Sequence, residues 1–247
     1  CGRGPTAAPR IRGMPSSAFH AAVTVCLRRL AVAVLACVAG FGGTAQAAEP
    51  EAWMLDPVHT RVVFAVSHAG FSSAIGTVSG SEGGLLYTPG EWDGARLVVE
   101  VPITRLDLGD ADWNRAALAP NLLDGDTYPT ARFVSNTVTA LDPRRAEVCG
   151  DLTLRGVTRP LCMQVTANAA ERHPMPPFRQ TAGFSATATL SRSAHGLDAW
   201  PSMIGDTVEL RIEAEATRAS RSFAERLFGE AQAGATNHDT TAPGEEP

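Results

Sequence analysis

The chain has 247 residues, no lysine, 21 arginines and 26 acidic residues, for a formal net charge of −5. Five of the arginines and none of the acids lie in residues 1–47, so the remainder carries 16 arginines against 26 acids, a net charge of −10 that argues against a nucleic-acid partner. The remaining stretch of about 200 residues is enough for one domain with a real core, and it shows neither a repeat nor an internal linker.

Residues 1–47 read as a leader ending in a secretory signal peptide. Arg28-Arg29 precede the apolar run Leu30 to Phe41, and Ala45-Gln46-Ala47 supplies a small-x-small cleavage signal. Met14 is the expected initiator, with residues 1–13 as upstream translated sequence, and the mature chain is expected to start near Ala48. The apolar run is short and broken by glycines, so no membrane span is expected after cleavage. The expected location is the periplasm. An outer-membrane lipoprotein, using Val34-Leu35-Ala36-Cys37 as its box, is the weaker alternative because Leu35 stands where a small residue is usual.

Period-two alternation dominates the body, residues 48–218. Val62, Phe64 and Val66 share a parity; a strand fits near 76–88; Leu97, Val99, Val101 and Ile103 follow. The long connection Leu106 to Pro129 interrupts the pattern, and its Asp110 to Leu118 portion suits a short helix capped by Asp110 and stopped near Pro120. Alternation resumes at Phe133, Ser135 and Thr137, continues near 145–154 and 157–167, and then runs through Phe184, Ala186, Ala188 and Leu190. The last strand is the clearest: Val208, Leu210, Ile212, Ala214 and Ala216 alternate with Glu209, Arg211, Glu213 and Glu215. Turns at Gly83-Gly84, Pro89-Gly90 and Pro174 to Pro177 separate about eight strands. From Ala219 onward the alternation is lost, and residues 219–247 read as a disordered tail in which Phe223, Leu227 and Phe228 could line a short, loosely docked helix.

Within this series GDLTLRGVTRP, Gly150 to Pro160, reads as a tight hairpin with Arg155 and Gly156 as its two loop residues. Leu154 then faces Val157. Stepping outward, Ala146, Val148, Leu152 and Leu154 share an apolar face with Val157, Leu161, Met163 and Val165, while Glu147, Asp151, Thr153, Thr158 and Gln164 take the polar face. The same register sets Cys149 opposite Cys162 on the polar face. There they form either a cross-strand disulfide, given an oxidising compartment, or a pair of free thiols.

Eight antiparallel strands with one apolar face each must stack as two sheets or close into a barrel. Several ordered motifs over about residues 52–217 resemble the YceI-like family: WMLDPVHTRVVFAVSHAG with GFSSAIG after it, LLDGDTYPTARFVS, GDLTLRGVTRP and IGDTVELRIEAEA. The resemblance implies an all-β fold, an extended eight-stranded antiparallel lipocalin-like β-barrel, with an apolar channel that takes an isoprenoid chain. Two segments depart from the family's pattern. DADWNRAALAPNLLD carries Trp113, Asn114, Leu122 and Leu123, and LSRSAHG carries His195 where an aromatic is usual; both are expected near a barrel mouth.

The expected channel lining is Val62, Phe64, Val66, Leu97, Val99, Val101, Phe133, Val148, Leu152, Phe184, Leu210 and Ile212, each with ordinary core packing as the alternative. His68 has the inward parity of Phe64 and Val66. It reads either as a donor to a ligand carbonyl or phosphate, or as a core histidine bonded to backbone or to Ser135. Phe71 and Ser135, in the matched motifs, complete the ligand-binding set. His59 reads as a structural partner of Asp56, and neither forms a metal site with His68, because opposite parities diverge. No Gly-x-Ser-x-Gly, HExxH, CxxC or phosphate-binding loop occurs, so no catalytic residue, metal or cofactor is expected. The expected partner is a bound isoprenoid lipid such as a quinone, quinone precursor or similar long-chain amphiphile, and a homodimer stays open. An enzyme acting on such a lipid and a filled barrel that binds a protein partner are the alternatives.

Overall fold

The computed structural model describes residues 49–237, with side chains through Ala231. The leader, the cleavage and lipoprotein signals and the end of the tail lie outside the described residues. The strands are β1 (Glu51–Leu55), β2 (Arg61–His68), β3 (Ser72–Ser79), β4 (Glu82–Thr88), β5 (Glu91–Pro102), β6 (Leu106–Asp107), β7 (Thr130–Asp142), β8 (Arg145–Leu154), β9 (Val157–Arg172), β10 (Gln180–Ser191) and β11 (Ile204–Arg218). Among the described residues there are two α-helices, α1 (Ala111–Ala117) between β6 and β7 and α2 (Arg221–Asn237) after β11.

All pairings are antiparallel, in the order β1-β4-β5-β7-β8-β9-β10-β11, and β11 pairs back onto β1, which closes an eight-stranded ring. β2 also pairs with β11 and with β3, and β3 with β6. β1 with β2, β3 with β4, and β5 with β6 are thus three long staves, each interrupted once. Eleven segments make the eight strands that alternation predicts. β1 itself escaped that reading, because only five residues alternate before the break.

The interruptions have local causes. Between β1 and β2 the Asp56 carboxylate accepts from the backbone N–H of Val58 and His59, which turns the chain out of the ladder. Between β3 and β4 Gly80 adopts φ +81, left-handed backbone that favours glycine. Each break flips the inward parity. Trp53 and Leu55 face inward on β1 but Val62 does so on β2; Val78 is buried on β3 but Leu85 and Tyr87 are on β4.

The β8–β9 hairpin has the predicted register, from Leu154↔Val157 out to Arg145↔Thr166. Arg155 at φ +50 and Gly156 at φ +72 give the two left-handed residues of a type I′ turn, whose twist matches that of the strands. Cys149 and Cys162 pair across it and are bonded as a disulfide. The expected helix is also present: Asp110 caps α1, its side chain accepting from the N–H of Asp112 and Trp113, and α1 ends at Leu118.

In the tail, residues 221–237 form a helix, longer than the short helix that Phe223, Leu227 and Phe228 suggested, and it lies on an apolar outer surface of the barrel. Ala224, Phe228 and Ala231 bury against Ala52 and Val98 on the outside of β1 and β5, and the Arg96 guanidinium lies 4.7 Å from the centre of the Phe228 ring. Gly84 has no side chain in the path of Phe223, whose ring would meet a Cβ there at 2.8 Å. The apolar runs Leu85-Leu86-Tyr87 and Leu97-Val98-Val99, which break strict alternation, are the sequence signal for this second covered face.

The disulfide closes a separation of 13 residues. In the chain-entropy picture that contributes about 3 kcal/mol. Replacing both cysteines by serine is expected to lower unfolding free energy by up to about that amount in denaturant titration, with the strand register, checked by amide exchange, unchanged.

Candidate functional site

Inside the ring the inward residues line a cavity of about 170 Å³. Val62, Leu210 and Ile212 line it from β2 and β11, and Leu97, Val99 and Val101 from β5. Phe133, Val148, Leu152 and Phe184 complete the sequence-predicted share of its wall. Sequence reasoning missed Leu55, Leu85, Tyr87, Trp92 and Val138, which follow the barrel's parity but sit beside breaks or turns. Leu161, Met163 and Val165 were legible on the apolar face of the hairpin, and Ala186 and Ala214 as the small inward residues of β10 and β11; all five line the cavity.

The floor is aromatic. The Tyr87 ring packs against Trp92 at 4.9 Å and edge-on to Phe184 at 5.4 Å, and each polar atom is engaged. Trp53 Nε1–H donates to the Tyr87 carbonyl, Trp92 Nε1–H to the Asp142 carbonyl, and the Tyr87 hydroxyl accepts from Gly90 N–H. Arg96 borders the cavity but turns its guanidinium outward to Phe228. Two hydroxyls remain in the wall, those of Thr60 and Ser81, both fully buried at the breaks of adjacent staves.

The opposite end is covered by the connections that follow β6 and β10. Leu118, Leu123 and Leu197 pack down onto the core there. The hairpin tip holds this cap: Arg155 donates to the carbonyls of Pro120 and Gly196 at 2.9 and 2.7 Å, and the Tyr128 ring rests on Gly156. His195, the departure from the family's pattern, is buried and donates through Nδ1–H to the Val157 carbonyl at 3.0 Å. Buried Arg192 donates to the carbonyls of Gly205, Leu197 and Ile204, clamping the β10–β11 connection. The hydroxyls of Ser191 and Ser193, with the Ser193 N–H, hold the nearby Asp206 carboxyl down to about 2.

Five predicted ligand residues lie elsewhere. Beyond the Thr77↔Asp107 pair the β2–β3 hairpin runs on without a neighbour on the far side of β3, and Phe64, Val66 and His68 keep inward parity but do not line the cavity. The Phe64 ring covers Gly76 instead, and His68 meets Trp113 of α1 edge-on at 5.6 Å. Phe71, at the hairpin tip, is 93% exposed. The Ser135 hydroxyl accepts from Leu97 N–H at 2.8 Å, filling a gap in the β5–β7 ladder beside the β7 bulge.

His59 is the partner of Asp56, as read from sequence, donating through Nδ1–H to the carboxylate at 2.8 Å. Partial burial works to raise the Asp56 pKa, but the bonds from His59 and Val58 outweigh it and the value is lowered. The bond to Asp56 raises His59 above its ordinary 6.5. The histidine's contribution is therefore complete below 6.5 and lost as pH rises through the raised value; the aspartate's is complete above 3.8 and lost as pH falls through the lowered value. Thermal melts at about pH 6 and about pH 8 should show the parent losing more stability on the rise in pH than His59→Ala does.

Outside the barrel a cleft of about 660 Å³ separates α2 from the start of β1, and two of its arginines, Arg218 and Arg221, are paired with Glu51 and Glu49.

A closed up-and-down barrel, aromatic at its floor, capped at one end and enclosing an apolar cavity, is a lipocalin-like architecture, the kind that holds a single small ligand. The chain belongs to the YceI-like domain family, which matches residues 53–216, as the sequence motifs indicate. It is 32% identical over 157 residues to a UPF0312 protein of Pseudomonas savastanoi pv. phaseolicola, covering 64% of this chain and 80% of the relative. A UPF0312 protein of Pseudomonas putida strain W619 is 31% identical over 160 residues, 65% of this chain and 82% of its own length. The fold matches crystallised BcnA of Burkholderia cenocepacia with a TM-score of 0.58 at 21% identity, covering 65% of this chain and 98% of that one. It also matches a polyisoprenoid binding domain of Saccharophagus degradans implicated in plant cell wall breakdown, with a TM-score of 0.51 at 15% identity over 68% and 99% of the two chains. At these identities the structural likeness speaks to the fold.

Proposed function

We propose that the protein is a periplasmic carrier, without catalytic activity, that holds an isoprenoid lipid in the barrel cavity. The observation that carries this reading is the cavity inside the barrel, whose wall is hydrocarbon and aromatic apart from Arg96 and the hydroxyls of Thr60, Ser81 and Tyr87. The polyisoprenoid binding domain of the same fold and the signal-like leader support it.

Magnitudes set a limit. Burying one five-carbon prenyl unit yields about 3–4 kcal/mol, while micromolar binding needs about 8 kcal/mol net of ordering costs. An apolar cavity of about 150 Å³ holds a benzene-sized guest, so the present cavity takes roughly one prenyl unit. A longer chain has to reach past it, through displacement of the cap or repacking of adaptable side chains such as Met163.

Native mass spectrometry of residues 48–247 purified from a bacterial periplasm, with organic extraction, is expected to show one co-purifying hydrophobe of isoprenoid mass. An empty, folded protein that also takes up no added quinone or prenyl alcohol would sink the carrier reading. Ala186→Phe, which fills the cavity, is expected to lower uptake at least about tenfold in a fluorescence titration while costing no more than about 3 kcal/mol of stability.

A further inference from the structure

We infer that the Ser81 hydroxyl is the hydrogen-bond anchor for an oxygen atom of the ligand, so that the cavity selects an oxygen-bearing prenyl amphiphile over the bare hydrocarbon and holds its polar end at mid-barrel. This rests on the carrier reading and adds a site and a ligand orientation to it.

Ser81 is 0% exposed, and its Oγ has no hydrogen-bond partner among the described residues. It lies at the Gly80–Ser81 break, where inward parity passes from the even residues of β3 to the odd residues of β4, and it shares the inward parity of Leu85 and Tyr87. It belongs to the cavity wall. A buried hydroxyl left unpaired costs about 1–3 kcal/mol, and no packing role of serine offsets that, since alanine would fill the same place with one atom fewer. The β2–β3 register ends at Arg61↔Ser79, so Thr60 and Ser81 come one and two residues beyond the last pair on neighbouring staves. Thr60 Oγ1 donates to the Glu215 carbonyl only at a long 3.5 Å. The breaks thus put two buried hydroxyls into an otherwise apolar wall, and Ser81 is the uncommitted one. A hydroxyl both donates and accepts, which suits a carbonyl or a hydroxyl of the ligand and gives no site for a fully charged phosphate. The polar group of the ligand is therefore met by the break in the wall and not by His68, which lies beyond the cavity.

The test is titration of farnesol and of its deoxy hydrocarbon analogue into the parent protein, Ser81→Ala and the near-isosteric Ser81→Cys, followed by Trp fluorescence and by thermal melts without ligand. The parent is expected to prefer farnesol. Both variants should bind farnesol about three- to tenfold more weakly, with affinity for the hydrocarbon unchanged, and Ser81→Ala should melt no lower than the parent. Retention of the parent's preference for farnesol in both variants would overturn the anchor while leaving the carrier reading standing. If the parent binds neither compound, nor any longer prenyl alcohol, both fall together.

Discussion

Closure of the sheet through the pairing of β1 with β11 is the constraint on which the rest of this structure depends. Three residue pairs, Trp53↔Arg218 to Leu55↔Ala216, join the first strand to the last and turn an open meander into a ring. Without that contact the inward residues of eight strands would face water or a second sheet. With it they face one another across a space too wide for small inward residues such as Ala186 and Ala214 to fill. β11 must serve two partners along its length, β1 and then β2, and this places the first break in the barrel wall beside Asp56. The cavity and the polar gaps in its wall are consequences of one closure.

The two ends of the barrel are built differently. At the floor, aromatic rings close the space and their polar atoms are satisfied by the turns below. At the cap, leucines from two connections cover the core, and the connections are held by arginine and histidine bonds to backbone carbonyls. Carbonyl bonds of this kind fix a loop without a buried ion pair, and each can be exchanged for water when the loop lifts. Arg155 adopts left-handed backbone, unusual for a residue with a side chain, and its two bonds to the cap give that strain a structural return.

How much of this was legible beforehand divides by the kind of information a residue pattern carries. Alternation assigns a face, and ten of the inward residues chosen on that basis, from Val62 to Ile212, line the cavity. It assigns no depth. Phe64, Val66 and His68 have correct parity but lie past the end of the closed ring, and Phe71 stands free at a hairpin tip. Parity also cannot see a slip in the ladder: Ser135 shares the parity of Phe133, yet it lies outside the cavity wall and its hydroxyl is used by Leu97 N–H beside the β7 bulge. Phe223, Leu227 and Phe228 suggested a helix in the tail, but its docking place depends on an apolar patch of β1 and β5 that consecutive residues such as Leu97-Val98-Val99 announce only once the outer surface is known to be shared.

By itself the sequence determined what is local. The β8–β9 register and its cysteine pair follow from a two-residue turn, the span of α1 from its Asp110 cap, and the family from several motifs in order. Only the tertiary structure decided what needs residues far apart in the chain: barrel over sandwich, through β1 meeting β11; cavity over filled core; the docking of α2; and the place of Thr60 and Ser81 in the cavity wall. The physical reason is that a turn and a cap are held by hydrogen bonds within a few residues, whereas closure, depth and cavity volume depend on which surfaces meet after long loops have closed.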